Sequence, residues 1–199
     1  HGGERVLHRP GHAGLVHLAG ELVADHRPAY IAASFDLKAA TFRDAIAADY
    51  KANRAPMPSD LAEQIPWVHE ACEAMGVPIL TSEGFEADDV IGTLAKKAAA
   101  AGYQVAIVTG DKDFFQLVGG PIRVYNPKDD GAWFDAEGVK TKFGVAPSQV
   151  VDVLALMGDT SDNVKGVPGI GEKGARDLSV TFGSPDALLE RASEVKAKK

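Results

Sequence analysis

The chain has 199 residues, of which 45% are hydrophobic and 25% charged, enough for one substantial core or a core with a smaller appendage. Its net charge of −7 argues against nonspecific nucleic-acid binding by the surface as a whole, although an acidic site filled by divalent cations becomes locally positive. The single cysteine excludes an internal disulfide, and no apolar run approaches the roughly 20 residues that span a bilayer. We therefore expect an intracellular, cytoplasmic protein without a membrane partner.

The first third of the chain predicts a terminal tail, two helices and a strand. Residues 1–13 are rich in His, Gly and Arg and predict a solvated, disordered terminus. Leucines at helical spacing predict a helix over 14–25, and Pro28 follows it. The apolar run 30–35 predicts a buried strand followed by Asp36. Apolar residues at helical spacing predict a helix over 61–75.

The middle of the chain repeats this alternation of strand and helix. We expect a short strand over 77–80, a helix over 86–100 ended by Gly102, and a buried strand over 104–109 followed by Asp111. Alternating strands and helices predict an α/β fold with a mostly parallel sheet covered by helices. Sites in such sheets lie at the carboxyl ends of the strands, where Asp36 and Asp111 fall.

After about residue 130 the pattern becomes helical. Helices are expected over 135–143, 147–157, 172–182 and 185–195, with Asp135 and Ser148 as N-caps. We therefore divide the chain into an α/β core over 1–130 and a helical subdomain over 131–199.

Acidic residues recur at four places in the chain. They are Asp36; Glu86, Asp88 and Asp89; Asp111 and Asp113; and Asp159 and Asp162. Each group alone has a structural explanation, because carboxylates stabilise helix starts and Asp with Gly commonly forms turns.

Taken together, these carboxylates indicate a metal site. The sheet model brings several of them to one edge, where like charges without basic partners would destabilise the fold. Mg²⁺ or Mn²⁺ supplies the missing charge and prefers oxygen ligands. Eight carboxylates exceed what one ion can use, so we expect two or more ions, an arrangement suited to phosphodiester displacement.

Two further segments suggest a phosphate-ester substrate. Residues 41–54 carry Arg43, Lys51 and Arg54 on a predicted helix, which is either a solvated helix face or a set of cations held over the metal site. The sequence "GVPGIGEKGARDL" combines a glycine-rich turn with a helix start, and both features can face a phosphate. Its candidate residues are Gly166, Gly169, Gly171, Lys173 and Arg176.

The ordered motifs "FD", "EADD", "TGDKD", "GDTSDN" and "GVPGIG" resemble the bacterial 5′-nuclease (flap endonuclease) family. The resemblance covers about residues 28–182. Within the family, these motifs most resemble the N-terminal 5′→3′ exonuclease domain of DNA polymerase I. It implies a PIN-like nuclease core and a C-terminal helix-hairpin-helix.

The resemblance also implies roles for individual residues. Asp36, Glu86, Asp88, Asp89 and Asp111 would form a first metal site, and Asp111, Asp113, Asp159 and Asp162 a second. Lys51 and Arg54, with Arg43 nearby, would contact the scissile phosphate from the family's arch segment. The glycine-rich hairpin would grip duplex DNA and hold K⁺ through backbone oxygens.

One departure separates this chain from the family pattern. The family begins with a strand that ends in a metal-ligating Asp, but no such strand precedes Gly14 and residues 1–13 contain no Asp. We expect the first strand to be missing, which leaves a noncatalytic DNA-binding fragment as an alternative.

The expected function is a metal-dependent, structure-specific 5′→3′ DNA exonuclease or flap endonuclease. The resemblance implies 5′ flaps and nicked or gapped duplexes as substrates, a polymerase domain in the same polypeptide, roles in replication and repair, and association with the bacterial nucleoid. A phosphatase acting through an aspartyl-phosphate is a third alternative, but it needs a second Asp where Lys38 stands.

Overall fold

The computed structural model describes residues 12–195, so most of the predicted tail over 1–13 lies outside the described residues. The chain forms two compact units. One comprises His1–Thr41 and Ala55–Val90, and the other Phe42–Arg54 and Ile91–Lys199. The boundary predicted near residue 130 stays a prediction. Within the described part, no helix is long and apolar enough to cross a membrane.

The helices and strands are numbered in chain order. The helices are α1 (His12–His26), α2 (Phe42–Ile46), α3 (Ser59–Ala62), α4 (Ile65–Ala74), α5 (Ala87–Ala100), α6 (Ala136–Phe143), α7 (Val150–Met157), α8 (Glu172–Phe182) and α9 (Pro185–Glu190). The strands are β1 (Val105–Val108), β2 (Ile122–Asn126), β3 (Ala132–Phe134), β4 (Gly158–Asp159) and β5 (Val164–Lys165). Short 3-10 helices occupy Lys112–Leu117, Pro147–Gln149 and Ala192–Glu194.

The first unit packs around a small core formed by Val68, Cys72 and Val77. Helix α4 presents Val68 and Cys72 to this core, as its apolar spacing predicts. The predicted helix over 61–75 is divided into α3 and α4, and Pro66 lies in the first turn of α4, where its missing N–H costs nothing.

The buried strand predicted over 30–35 is wrong, and so is the short strand predicted over 77–80. Both segments contribute only one isolated parallel bridge, Ala33 to Ile79, and Tyr30 is 77% exposed. A regular strand is stabilised by hydrogen bonds to adjacent strands. Within the described residues, the β pairing of these two segments is limited to each other. An apolar run alone therefore predicted more regular pairing than the sheet supplies.

The second unit contains the larger core and a three-stranded sheet in the order β1-β2-β3. β1 pairs with β2 in parallel, Val105 opposite Ile122, while β2 pairs with β3 antiparallel, Val124 opposite Phe134. The strand predicted over 104–109 is confirmed as β1, but its predicted burial is wrong, because only Ile107 in it is buried. β2 and β3 were not predicted. Phe115 packs against the Phe134 ring, with ring centroids 5.1 Å apart.

The helical pattern after residue 130 is confirmed in α6 to α9. Asp135 caps α6, because its side chain accepts a hydrogen bond from the Gly138 amide at 2.9 Å. The predicted Ser148 N-cap is wrong: this residue lies inside the 3-10 helix Pro147–Gln149, and α7 begins without a side-chain cap. α7 and α8 flank a connection that contains the small antiparallel pair β4–β5, which was not predicted.

Candidate nuclease site

The turn after β1 holds the first two aspartates of the candidate site. Thr109 Oγ1 accepts a hydrogen bond from the Asp111 amide at 3.0 Å, and Asp111 Oδ1 accepts one from the Asp113 amide at 2.9 Å. Asp111 thereby caps the 3-10 helix Lys112–Leu117. The local sequence "TGDKD" thus folds into a turn that places two carboxylates beyond the carboxyl end of β1.

The β4–β5 hairpin holds the other two aspartates. Asp159 Oδ1 accepts hydrogen bonds from the amides of Ser161 and Asp162, at 2.7 and 3.3 Å. Gly158 has φ +75°, and a Cβ there would lie 2.6 Å from the Val164 carbonyl oxygen, so this hairpin requires glycine. The sequence "GDTSDN" is therefore a closed turn, not an open loop between helices.

These two turns bring four aspartates close together in the second unit. The pKa of Asp113 is raised to about 6, mainly by burial and then by the nearby carboxylates of Asp111, Asp159 and Asp162, while Lys112 opposes the shift. Asp113 Oδ1 is buried and has no hydrogen-bond partner among the described residues. A buried carboxylate oxygen without a donor is costly unless a cation or proton satisfies it.

The basic segment packs against the acidic hairpin. The predicted helix over 41–54 is only partly correct, since α2 ends at Ile46 and turns follow. Residues 49–54, which we name the docking segment, lie against the turn 159–163. Arg54 Nη2 lies 2.6 Å from Asp162 Oδ1, the Tyr50 hydroxyl donates to Asp162 Oδ2 at 3.0 Å, and the Lys51 amide donates to the Asp162 carbonyl at 2.9 Å.

Aromatic rings hold the other two candidate cations. The Arg43 guanidinium lies 4.6 Å from the centroid of the Phe42 ring and 6.0 Å from that of Tyr50. The Lys51 ammonium lies 5.0 Å from the Tyr50 centroid. Tyr50 therefore contacts Arg43, Lys51 and Asp162, a role that the sequence did not reveal because an isolated tyrosine carries no motif.

The remaining predicted metal ligands lie in the first unit. Asp36 Oδ1 accepts a hydrogen bond from the Ala87 amide at 2.7 Å, which anchors the start of α5 to the segment after residue 35. Asp89 Oδ2 accepts one from the Glu86 amide at 3.0 Å, Glu86 is 8% exposed, and Asp88 lies in the first turn of α5. These residues thus gather at one helix start. The convergence of all eight carboxylates on two metal sites that share Asp111 stays a prediction.

Divalent metal fits the aspartate cluster by donor chemistry. Among residues 12–195, no three His, Cys, Asp or Glu side chains form a ready-made metal-binding group. The oxygen-only donor set of Asp111, Asp113 and Asp159 is nevertheless the type that Mg²⁺ and Mn²⁺ prefer, and the Asp113 oxygen that has no hydrogen-bond partner among the described residues would provide a ligand atom.

The predicted DNA-binding residues lie in the glycine-rich connection between α7 and α8 and on the first turns of α8. Gly169 has φ +81°, and Gly171 precedes α8. Lys173 is 80% exposed and pairs with Asp177 at 2.9 Å, whereas the Arg176 guanidinium lies 4.9 Å from the Phe143 ring centroid and pairs with Glu172. Lys173 therefore faces solvent, while Arg176 packs against the protein.

Two family models match consecutive parts of the chain. The model described as "5'-3' exonuclease, N-terminal resolvase-like domain" matches residues 9–144. The model described as "5'-3' exonuclease, C-terminal SAM fold" matches residues 145–199. The chain belongs to the 5′-3′ exonuclease family. The family resemblance and the predicted α/β core with a helical C-terminal part are therefore confirmed.

Bacterial DNA polymerases I are similar to the chain in sequence. The chain is 54% identical to DNA polymerase I of Pseudomonas aeruginosa over 149 residues, which are 75% of this chain and 16% of that protein. It is 37% identical to DNA polymerase I of Bacillus subtilis over 199 residues, 98% of this chain and 23% of that protein. The chain thus spans less than a quarter of the length of these relatives.

Solved structures share the fold. The T5 5′-exonuclease, solved with divalent metal ions (zinc) bound, superposes with a TM-score of 0.78 at 22% identity, covering 96% of this chain and 74% of that one. The catalytic core of Rad2, solved in complex with DNA substrate, gives a TM-score of 0.59 at 17% identity, covering 100% and 61% of the two chains. At these identities the likeness establishes the fold.

Proposed function

We propose that the chain is a divalent-metal-dependent, structure-specific 5′→3′ nuclease that hydrolyses phosphodiesters at 5′ flaps and in nicked or gapped duplex DNA. The observation that carries this proposal is the cluster of Asp111, Asp113, Asp159 and Asp162 beside the cations of the docking segment. Membership of the 5′-3′ exonuclease family supports the reaction class, and the DNA-bound Rad2 core supports the substrate class.

Three groups of residues in the second unit have separate roles in this proposal: the aspartates, the cations and the hairpin between α7 and α8. Asp111, Asp113, Asp159 and Asp162 would hold divalent cations, which supply Lewis-acid stabilisation of phosphate charge and an activated water when bound. Lys51 and Arg54, with Arg43, would orient the scissile phosphate. The α7–α8 hairpin, with Gly166, Gly169, Gly171 and Lys173, would contact the duplex backbone, so recognition depends on DNA shape. A K⁺ ion in this hairpin is part of the same prediction.

The first-unit carboxylates complete the proposed metal chemistry. Asp36, Glu86, Asp88 and Asp89 are proposed as ligands of a separate ion at the start of α5. The alternative of a fragment that binds DNA without cutting it is tested alongside.

A cleavage assay with a matched variant tests the proposal. We expect a 5′-flap duplex to be cut in Mg²⁺ and to remain intact in EDTA. Asp111→Asn should abolish cutting while duplex affinity, measured by fluorescence anisotropy in Ca²⁺, is retained. Asp129→Asn is the control, since Asp129 pairs with Lys142 at 2.7 Å and is not among the charges that shift the pKa of Asp113. Flap binding without cutting by the unmodified chain would favour the noncatalytic alternative.

We also propose that this chain is the N-terminal part of a bacterial DNA polymerase I that acts in replication and repair at the nucleoid. The support is its 54% identity to a DNA polymerase I of which it covers 16%. Sequencing the gene beyond codon 199 tests this directly, because a polymerase coding region in the same reading frame is expected. A stop codon directly after the matched region would contradict the proposal.

A further inference from the structure

Two asparagines connect the docking segment to the acidic hairpin, and the motifs gave them no role. Asn53 Nδ2 donates a hydrogen bond to the Thr160 carbonyl at 2.8 Å. Asn163 Nδ2 donates one to the Asp49 carbonyl at 2.7 Å. Each side of the contact thus contributes one side-chain amide and one backbone carbonyl. We name these two hydrogen bonds the asparagine clamp.

The asparagine clamp holds both ends of the docking segment. Asp49 is its first residue and Asn53 lies beside its last, while the Lys51 amide donates to the Asp162 carbonyl between them at 2.9 Å. Two fixed points on either side of Lys51 prevent rotation about the central contact. Lys51 lies between these points and Arg54 directly follows Asn53, and the proposed function places both cations on the phosphate.

One residue on each side of this contact, Asn163 and Lys51, has a left-handed backbone conformation. Asn163 has φ +58°, a left-handed conformation that Asn adopts more readily than most residues. Lys51 has φ +54°, where a long L side chain is unfavourable. A residue in that conformation persists when surrounding contacts hold it, and the asparagine clamp lies on both sides of it in the chain.

We propose that Asn53 and Asn163 are positioning residues that fix Lys51 and Arg54 beside the aspartate cluster; the inference rests on the proposed nuclease function. Neither asparagine carries charge, so neither adds directly to the electrostatic affinity for DNA. Their effect falls on the geometry of the cations, and a small displacement of a group that orients a reacting phosphate slows catalysis more than it weakens binding.

The variant Asn163→Gly tests the Asn163 side-chain hydrogen bond without disturbing the left-handed backbone at this position. Glycine accepts the left-handed φ, so this change removes the side-chain donor without adding strain. Asn53→Ala removes the donor on the other side. Asp135→Ala is the control for general stability, because it removes the α6 N-cap in the same unit and touches no residue of the docking segment.

Hydrogen exchange of the unliganded chain is the first measurement. Peptides covering residues 47–54 should exchange roughly tenfold faster in Asn163→Gly and Asn53→Ala than in the unmodified chain, because the Lys51 amide loses protection when the segment undocks. Asp135→Ala should leave these peptides unchanged. Unchanged exchange of residues 47–54 in both asparagine variants would overturn the clamp.

Flap cleavage in Mg²⁺ is the second measurement. In both asparagine variants kcat should fall roughly tenfold with KM and the Kd for flap DNA within about twofold of the unmodified chain, while Asp135→Ala keeps its kcat. Faster exchange with an unaltered kcat would overturn the positioning role. A different result is that the unmodified chain cuts no flap while hydrogen exchange in the asparagine variants responds as expected. The proposed nuclease function and the positioning role would then both be wrong, but the two hydrogen bonds of the asparagine clamp would still be supported.

Discussion

Arg54 and Asp162 lie 108 positions apart in sequence and form an ion pair, with Arg54 Nη2 2.6 Å from Asp162 Oδ1. The motifs gave these residues separate roles, one on the phosphate and one on a metal. In the structure they neutralise each other, and Tyr50 occupies the second carboxylate oxygen of Asp162. Asp162 therefore accepts two side-chain contacts that hold the docking segment, from Arg54 and Tyr50.

We predict a measurable coupling between Arg54 and Asp162. The side chains are 50% and 23% exposed, so solvent screens the pair and its coupling free energy should be about 0.5–1 kcal/mol. Urea unfolding in EDTA of Arg54→Ala, Asp162→Asn and the double variant gives this value. Free energies that add within error would show that the contact contributes nothing to stability.

The raised pKa of Asp113 predicts a pH dependence of stability. Asp113 in the folded chain holds its proton up to about pH 6, whereas the unfolded chain releases it near 3.8. The folded state thus binds more protons between these values, and its stability falls as pH rises through 6. Because the side chain is only half-buried, we expect an effect of about 1 kcal/mol after allowance for screening.

Asp113→Asn isolates this effect from other titrations. The amide resembles the neutral acid, so variant and unmodified chain should have similar free energies of unfolding at pH 4 in EDTA. At pH 7.5 the variant should be the more stable of the two. A difference that does not change with pH would mean that Asp113 does not titrate with a raised pKa.

Local sequence predicted those parts of the fold that local interactions determine. β1 is a run of β-branched and small apolar residues followed by a turn, and Asp135 caps α6 through its own third-neighbour amide. The run 30–35 has equal apolar character yet forms one bridge, because regular pairing requires partners that the run itself does not specify.

The candidate site was predictable by residue type but not by its contacts. The aspartates follow a strand or lie in a glycine turn, so sequence could identify them. The docking of Tyr50, Asn53 and Arg54 onto residues 159–163 depends on tertiary contacts between segments more than 100 positions apart. Asn163 had one local signal, its place after an aspartate in a tight turn, which favours left-handed backbone.

Substitution of Lys173 should change DNA affinity, whereas substitution of Arg176 should change the stability of the fold. Lys173→Ala should leave stability within about 0.5 kcal/mol, weaken duplex binding and reduce the salt slope by about one, since the exposed ammonium is free to exchange Asp177 for a phosphate. Anisotropy titrations at several salt concentrations measure this. An unchanged slope would remove Lys173 from the DNA contact.

Arg176→Ala should instead lower stability by about 1–2 kcal/mol. Its guanidinium packs over the Phe143 ring, and its stem lies 3.2 Å from the position of a Cβ on Gly144. Urea unfolding measures the loss. A variant as stable as the unmodified chain but with weaker DNA binding would place Arg176 on the DNA.

Gly166 should be indispensable to the hairpin between α7 and α8. A Cβ at Gly166 would lie 2.5 Å from the Met157 carbonyl oxygen and also meet the backbone of Gly158. Backbone atoms cannot move aside as a flexible side chain can, so Gly166→Ala should destabilise the chain by about 3 kcal/mol and weaken duplex binding with it. Gly174→Ala is the matched control: it lies inside α8, its Cβ would meet only the Ile170 side chain at 3.6 Å, and helix propensity should raise stability by about 0.5–1 kcal/mol. Thermal unfolding of both variants compares them, and equal stability would show that α7 and α8 do not need this close backbone contact.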